Sequence, residues 1–396
     1  MPAASRRRAL LLICATAIAA ATNYTNHGPV LGFIRGEFGL SFADAGALAT
    51  AFFAGAASTM LVGGAIADRI GTRLAITLGF LLMVIGNLGT GLLAPSFPAL
   101  LAWRALGGVG SGFMFAAGSA YTRSIFDDRG RHLAQGLYGA SFLLGSGITL
   151  GYIPILAGPA GDWRLAFTLS GLGVAAVWVV WTLFAPSEPG NPTVHGARAA
   201  LSLALHERNT WLLALCHMCG FGMAIVVGTW VTLYLVDAFS MPLAAAGLVG
   251  SLTLVTGIAS RTAGGVILEG GLRPVLLIRS GLTLAALGLS TIALAPALPV
   301  AIVGLVATGV GIGLPYAAVF NGAAASVPTS PASAQALVGV GGVLSAIFGP
   351  PLVGTLLDAT GDFAAGFLAL AALVAVVLAV TLLIRPFEMD AAAAEA

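Results

Sequence analysis

The feature that most constrains this chain is a series of about a dozen apolar stretches, each long enough to cross a lipid bilayer as a helix of about 20 residues. Of its 396 residues, 58% are apolar and 8% are charged. A soluble domain of this size could not expose so much apolar surface, so the solvent of this chain is lipid. We predict an all-α membrane protein with little room for a soluble domain.

Hydropathy and turn signals predict twelve membrane-spanning helices in two groups of six. Pro, Gly and charged residues accumulate at 186–209, which predicts a cytoplasmic linker between an N-terminal bundle, 1–185, and a C-terminal bundle with a short cytoplasmic tail, 210–396. The predicted spans are 9–34, 43–66, 74–95, 97–120, 134–157, 164–185, 210–236, 244–268, 275–295, 298–322, 334–357 and 364–385.

The amino end carries a sequence that a signal peptide could also have. Arg6, Arg7 and Arg8 precede an apolar run that contains small residues, as in cleavable leaders. The apolar character continues to Ile34, so we expect the first helix to remain in the mature protein.

The two halves of the chain repeat each other. A shift of 201 positions aligns Gly63-Gly64 with Gly264-Gly265, Pro95 and Pro98 with Pro296 and Pro299, and the glycines around Gly108 with those around Gly309. Constant spacing over about 100 residues predicts two parallel, pseudo-symmetric repeats of six helices.

Loop charges predict the orientation. With both termini in the cytoplasm, thirteen loop arginines lie on the cytoplasmic side, against Arg35 and Arg164 on the other. This distribution follows the positive-inside rule for a plasma membrane protein, here a bacterial inner membrane.

The basic residues also exclude two function classes. All 17 are arginines, so the phosphate loop G-x-x-x-x-G-K-[ST] cannot occur. The arginines are spread over many loops and form no stripe, which argues against a nucleic-acid partner.

The turn after the second span reads Gly64-Ala-Ile-Ala-Asp68-Arg69-Ile-Gly71-Thr-Arg73. Gly71 permits a tight turn, and Asp68 can face the positive end of a helix. The sequence resembles G-x-x-x-D-R-x-G-x-R, the loop signature of the major facilitator superfamily. The resemblance implies a secondary transporter that works by alternating access, without a cofactor, in which Gly64, Asp68, Arg69, Gly71 and Arg73 latch one conformation. The alternative is a loop of charges that only sets topology.

Further segments resemble the same family. The fourth span contains Arg104-Ala-Leu-Gly-Gly108-Val-Gly110-Ser-Gly112, which is similar to the family's R-x-x-x-G-x-G-x-G helix. A glycine-spaced run inside an apolar helix, without a preceding strand, indicates close helix packing rather than dinucleotide binding.

Two arginines lie within predicted spans, where a charge needs a cavity, water or a partner. Arg261 lies eight residues before Glu269, about 12 Å into a hydrocarbon core about 30 Å thick. Its position resembles that of an arginine in nitrate and nitrite porters, although Met60 replaces a second arginine at the symmetric position. We expect Arg261 and Arg104 to contact a substrate or coupling anion, or alternatively backbone carbonyls.

Polar residues within other spans are further candidates for the substrate site, or alternatively for interhelical hydrogen bonds. They are Asn23, Tyr24, Asn26 and His27 in the first span, Trp230 and Tyr234 in the seventh, and Tyr316 and Asn321 in the tenth. His217 is a candidate proton site. We expect no metal at Cys216, His217 and Cys219, because a fourth ligand is missing.

The acidic residues bear on the substrate. No Asp or Glu lies in the middle of a span, whereas organic cations call for a buried carboxylate, so an anionic or neutral solute is favoured. The resulting hypothesis is a monomeric carrier of a small inorganic or carboxylate anion, coupled to a proton or counter-solute. Alternatives are drug or amphipathic-compound efflux by proton antiport and, remotely, a membrane-embedded enzyme or sensor, for which neither a nucleophile cluster nor a signalling domain is found.

Overall fold

The computed structural model describes residues 3–60, 63–126, 128–186 and 197–385. Regular secondary structure in these ranges is entirely helical. Eleven helices in this part of the chain are long and apolar enough to cross a membrane. The predicted all-α membrane fold is therefore confirmed, while most of the predicted linker and the tail after Arg385 lie outside the described residues.

The first six helices, α1 to α6, occupy the N-terminal half, and all of them except α2 are among these eleven. In α1 an α-helix is followed by a short 3₁₀ turn and a second α-helix, and α2 is described on both sides of residues 61–62. The bounds are Ala3–Thr25, Gly28–Val30 and Leu31–Phe38 for α1, Phe42–Met60 and Gly63–Ile70 for α2, Thr72–Leu92 for α3, Phe97–Ile125 for α4, Asp128–Ala157 for α5 and Arg164–Phe184 for α6.

A linker helix, Ala197–His206, precedes the last six spans, α7 to α12. In α7 a π-helical turn joins two α-helices, and α10 is divided before Tyr316. The bounds are Arg208–His217, Met218–Gly222 and Met223–Phe239 for α7, Leu243–Glu269 for α8, Pro274–Ala293 for α9, Leu298–Gly313 and Tyr316–Ser326 for α10, Pro331–Thr360 for α11, and Phe363–Val380 with the turn Thr381–Leu383 for α12.

The interruptions have local causes that hydropathy does not detect. Pro29 cannot donate a backbone hydrogen bond, and the α-helix of α1 ends four residues earlier, at Thr25. Pro315 divides α10 for the same reason. The predicted first span, 9–34, is shorter at both ends than the observed α1, and the prediction did not include the break after Thr25.

Contacts divide the chain into two compact units. The first contains α1 to α6 together with residues 228–251, which form the end of α7 and the beginning of α8; the second contains the remainder. Within the first unit, Gly28 of α1 lies against the carbonyl oxygen of Gly228, and Gly247 of α8 lies against that of Leu150 in α5. The predicted bundles of residues 1–185 and 210–396 are divisions of the sequence and stay a prediction.

Each unit contains the same glycine-mediated helix contact, at the spacing of the sequence repeat. Gly108 of α4 lies against the carbonyl oxygen of Phe52 in α2. In the other unit, Gly309 of α10 lies against that of Thr253 in α8. Both partners are related by the shift of 201 positions. The glycines let helix backbones touch where any side chain would hold them apart.

A methyl group added at either glycine therefore has no space. We expect Gly108→Ala and Gly309→Ala each to destabilise the protein by about 1–3 kcal/mol, the usual effect of overpacking. Gly173→Ala is the matched control, since an added Cβ at Gly173 of α6 meets nothing within 4 Å. The measurement is the midpoint of heat-induced loss of monodispersity in detergent; equal midpoints for all three variants would contradict the packing argument.

The orientation can be tested by thiol labelling of intact cells. Ser202 in the linker helix and Ala160 after α5 are both exposed. In a background without Cys14, Cys216 and Cys219, we expect Ala160→Cys to react with a membrane-impermeant maleimide. Ser202→Cys should react only after permeabilisation, because the loops rich in arginine stay inside. The reverse pattern would invert the orientation.

Candidate functional site

The guanidinium of Arg104 is buried in the first unit and is held by α1. Its Nη1 donates to Oδ1 of Asn26 at 3.0 Å, and its Nη2 donates to the carbonyl oxygen of Asn23 at 3.1 Å. Nη2 also lies 3.3 Å from Nδ1 of His27, and Nε donates to the carbonyl oxygen of Leu48 at 3.5 Å. We call Arg104, Asn23, Asn26 and His27 the Arg104 cluster. Its partners are all neutral or backbone groups.

The break in α1 makes these contacts available. Carbonyl groups in the last turn of an α-helix lack an intrahelical donor. Because the α-helix ends at Thr25, the carbonyl of Asn23 lies in that turn and accepts from Arg104. The aromatic rings of Phe52 and Phe167 add cation–π contacts, with Cζ of Arg104 at 4.6 and 5.4 Å from their centroids.

His27 extends the Arg104 cluster to α7. Its Nε2 lies 3.3 Å from the hydroxyl oxygen of Thr229. Asn26 extends the cluster to α3, since its Nδ2 donates to Oδ1 of Asn87 at 3.3 Å. Asn23, Asn26 and His27 are fully buried. Asn87 and Thr229 were not among the candidates predicted from the sequence, although an asparagine in the middle of the third span is a signal that indicates Asn87.

Tyr24 lies in the aromatic core beside this cluster. Its hydroxyl accepts from Oγ of Ser111 at 3.1 Å, and its ring packs on Phe52, Phe53 and Phe142. The contacts of Tyr24 are therefore those of a packed side chain within the helix bundle.

Arg261 of α8 is the centre of a second arrangement, in the second unit. Its Cζ lies 4.1 Å from the centroid of the Tyr316 ring. Tyr316 in turn contacts His217 of α7, with ring centroids 6.1 Å apart, and Phe320, at 4.7 Å. His217 packs edge-on against Phe320 at 4.8 Å. We call Arg261, His217, Tyr316 and Phe320 the Arg261 cluster.

Irregular backbone lies on two sides of the Arg261 cluster. His217 directly precedes the π-helical turn Met218–Gly222, and Tyr316 begins the second segment of α10. Such π-helical turns occur often at functional sites. A cavity lies at this place, lined by Cys216, His217, Cys219 and Gly220 of α7, Leu282 of α9, and Gly311, Ile312, Pro315, Tyr316 and Val319 of α10.

The cavity contains only some of the ligands that a soft metal ion would need. Cys216 and Cys219 are buried free thiols. In the described ranges, no group of three or more His, Cys, Asp or Glu side chains is arranged to hold a metal ion. The cavity shares His217 and Tyr316 with the Arg261 cluster, in which a cation lies against an aromatic ring.

The remaining candidates have contacts of their own. Trp230 packs on Phe42, with centroids 6.2 Å apart, and Tyr234 packs on Phe239 at 5.6 Å, all in the first unit. Asn321 is exposed on α10. The structure thus brings His217 and Tyr316 to Arg261, and three polar residues of α1 to Arg104.

The predicted latch lies at the turn between α2 and α3. Gly71 has a φ of 89°, which favours glycine, and Nη2 of Arg73 donates to the carbonyl oxygen of Thr182 at the end of α6 at 2.9 Å. Arg69 is exposed. Gly64 and Asp68 lie in the helix Gly63–Ile70, but the side chain of Asp68 lies outside the described residues.

Arginines also cap the last helix of each half. Arg8 donates from Nε and Nη2 to the carbonyl oxygen of Phe184 at 2.9 and 2.6 Å. Arg279 donates to the hydroxyl and carbonyl oxygens of Thr381 at 3.1 and 3.2 Å. A positive charge at the negative end of a helix is stabilising, so several cytoplasmic-assigned arginines have a structural role.

The sequence model of the Major Facilitator Superfamily matches residues 13–333. The chain belongs to this family. The fold and the family make it a secondary transporter rather than an enzyme.

Relatives with a described substrate are distant but span much of the chain. A hexuronate transporter of Bacillus subtilis is 27% identical and covers 92% of this chain and 91% of its own length. A probable nitrate/nitrite antiporter of Thermus thermophilus is 27% identical and covers 82% of this chain and 79% of its own length. A probable sulfoacetate transporter of Cupriavidus necator is 27% identical over 66% of this chain and 65% of that protein.

Solved structures show the same fold. A bacterial homolog of the human lysosomal transporter Spinster, inward-facing and unoccupied, has a TM-score of 0.80 and 18% identity and covers 97% of this chain and 98% of its own. At this identity the likeness concerns the fold.

Proposed function

We propose that this transporter carries a small anion, inorganic or carboxylate, and that Arg261 supplies the positive charge of the binding site. The observation that carries the proposal is the position of Arg261, buried in the middle of α8 with its guanidinium against the ring of Tyr316. A guanidinium has five donors in a planar fork that matches an oxyanion. The ring face of Tyr316 stabilises the positive charge of the guanidinium inside the span, where a small oxyanion would neutralise it.

The Arg104 cluster has a different role in this proposal. Arg104 contacts three acceptors on α1 and one on α2, so its donors are engaged by the protein itself. We assign Arg104 a role in holding α1, and Arg261 the contact with the solute. Tyr316, His217 and Phe320 would then form the wall beside the anion.

The charge balance of the chain supports an anion. All 15 acidic residues lie at or beyond the ends of the predicted spans. A cationic solute would enter the membrane interior without a carboxylate to receive it. An anion meets the opposite situation, because it neutralises a buried arginine.

The names of the relatives point in the same direction. Sulfoacetate, hexuronate, nitrate and nitrite are all anions at neutral pH. In our proposal the carrier works as a monomer in the bacterial inner membrane, with both termini in the cytoplasm, and is coupled to a proton or counter-solute.

The test is counterflow of labelled nitrate, sulfoacetate and a hexuronate in proteoliposomes. We expect one of these anions to be carried by the wild type. Arg261→Lys keeps the charge but loses the fork, so its KM should rise at least about tenfold. Arg261→Gln should lower kcat/KM by about a hundredfold or more, the loss expected when a buried ion contact is removed.

The control is Arg279→Gln, which removes an arginine of α9 that bonds to Thr381 rather than to a solute. Each variant must elute as a single species and keep its thermal midpoint, so that loss of transport is separated from loss of fold. A well-folded Arg261→Gln protein that carries the anion at the wild-type rate would refute the proposal and favour efflux of a neutral or amphipathic compound.

We also propose that the turn between α2 and α3 sets the conformational equilibrium rather than binding the solute. Support comes from Gly71, whose φ is positive, and from the bond of Arg73 to the end of α6. Asp68→Asn should slow counterflow by on the order of tenfold, while equilibrium binding of the anion changes only a few-fold. Arg279→Gln, which lies on α9 outside this turn and bonds to Thr381, serves as control. A loss of binding with unchanged access to both sides would contradict this role.

A further inference from the structure

His27 is fully buried between two other helices and contacts both through its ring nitrogens. On one side, Nδ1 lies 3.3 Å from Nη2 of Arg104 in α4. On the other, Nε2 lies 3.3 Å from the hydroxyl oxygen of Thr229 in α7. The ring therefore joins Arg104 to Thr229 in one chain of polar contacts.

The hydrogen-bond donors and acceptors of these groups determine the protonation state of the His27 ring. A guanidinium has donors and no acceptor, so Nδ1 must accept the hydrogen bond from Arg104. The ring is then neutral, with its proton on Nε2, which donates to Oγ1 of Thr229. A doubly protonated ring has two N–H donors and a positive charge. Such a ring would place an N–H and a second cation directly against Arg104.

We propose that His27 is a proton-binding site that controls the contact between α1 and the 228–251 segment. With His27 neutral, the chain from Arg104 to Thr229 is intact and α1 holds α7. Proton uptake by His27 breaks the chain at Arg104 and separates the 228–251 segment from α1. The inference goes beyond the anion assignment and holds for whichever solute is carried.

The packing beside His27 explains why a change at one ring affects two helices. An added Cβ at Gly28 would lie 2.6 Å from the carbonyl oxygen of Gly228 and 3.1 Å from that of Thr229. An added Cβ at Gly228 would lie 2.9 Å from Cγ2 of Thr25. The backbones of α1 and α7 thus touch next to His27, and no flexible side chain separates them. A rotation or displacement of the His27 ring therefore requires α1 or α7 to move.

Arg104 is the charged group that faces His27 in the described part of the chain. Other elements around the site present neutral groups: Asn23, Asn26 and the Tyr24 hydroxyl from α1, Leu48 and Phe52 from α2, Asn87 from α3, Ser146 and Thr149 from α5, Phe167 from α6, and Thr229 and Trp230 from α7. The carboxylate of Glu37 lies at the helix end, where it pairs with Arg164. The titration of this site is therefore a titration of His27 beside one fixed positive charge.

The sign of the pH dependence follows by linkage. In the separated form, the 228–251 segment has left α1 and His27 can bind a proton. In the joined form, His27 cannot bind a proton without losing its contact with Arg104. Lower pH therefore favours the separated form, by up to about tenfold in the equilibrium per pH unit for one proton.

The experiment measures the distance between spin labels at Ala160, after α5, and Ala238, near the end of α7, both of which are exposed. The labels are placed in a background without native cysteines, in nanodiscs. Distances are recorded by pulsed electron paramagnetic resonance from about pH 5 to about pH 9, a range that spans the titration of an ordinary histidine. We expect one short distance at high pH and a growing population at longer distance as the pH falls.

Three variants separate this proposal from a general loosening of the fold. His27→Gln can accept at Oε1 and donate at Nε2 but cannot take up a proton, so it should keep the short distance at every pH. Thr229→Val removes the far end of the chain and should show the longer distance at every pH. His206→Gln should behave like the wild type, because His206 is exposed on the linker helix, where its ring contacts the carbonyl oxygen of Ser202.

Two results would overturn the proposal. One is a wild-type distance distribution that does not change between the two ends of the pH range. The other is a His27→Gln protein whose distances follow pH as the wild type does. If His27→Gln fails to fold, the wild-type titration and the Thr229→Val variant still test the proposal. A purely structural His27 predicts that the wild-type distance does not respond to pH. It also predicts that Thr229→Val does not show the longer distance at every pH.

Discussion

The bilayer gives a polar group no water, and the rest of this structure follows from that constraint. Backbone groups are satisfied within helices, so the described chain contains helices and their connections. Helices in lipid gain little from burying apolar surface against one another, so association depends on close packing. Gly108 and Gly309 provide it in the two units, each against a backbone carbonyl. A charge inside a span must likewise find its partner within the protein.

Arg104 and Arg261 meet this demand in different ways. Arg104 is surrounded by acceptors from α1, so its burial contributes to holding that helix. Arg261 lies against the ring face of Tyr316, which stabilises a positive charge through a cation–π contact. This difference is why we assign a solute to one arginine and a structural link to the other. A histidine also lies near each charge: His27 contacts Arg104 through a ring nitrogen, and His217 packs on the same Tyr316 ring as Arg261.

The two halves keep the geometry of their repeat but not its chemistry. The contact of Gly108 with Phe52 recurs as the contact of Gly309 with Thr253, at the same spacing of 201 residues. The arginines do not recur, because the position equivalent to Arg104 is Leu305 and the position equivalent to Arg261 is Met60. Packing constraints are the same in both halves, since both must bring helices together in lipid. A single binding site for one solute needs only one such arginine.

The sequence by itself determined the solvent, the helical fold, the approximate spans and the family, because these depend on local hydropathy and on short motifs. It also indicated that Arg104 and Arg261 need partners, since the cost of a buried charge does not depend on fold details. It could not show which partners they have. Arg104 and His27 are 77 positions apart, and His27 and Thr229 are 202 apart. Only the tertiary structure decided these pairings, the break of α1 after Thr25 that exposes a carbonyl to Arg104, and the tautomer of His27, because each depends on where a distant helix places its donors and acceptors.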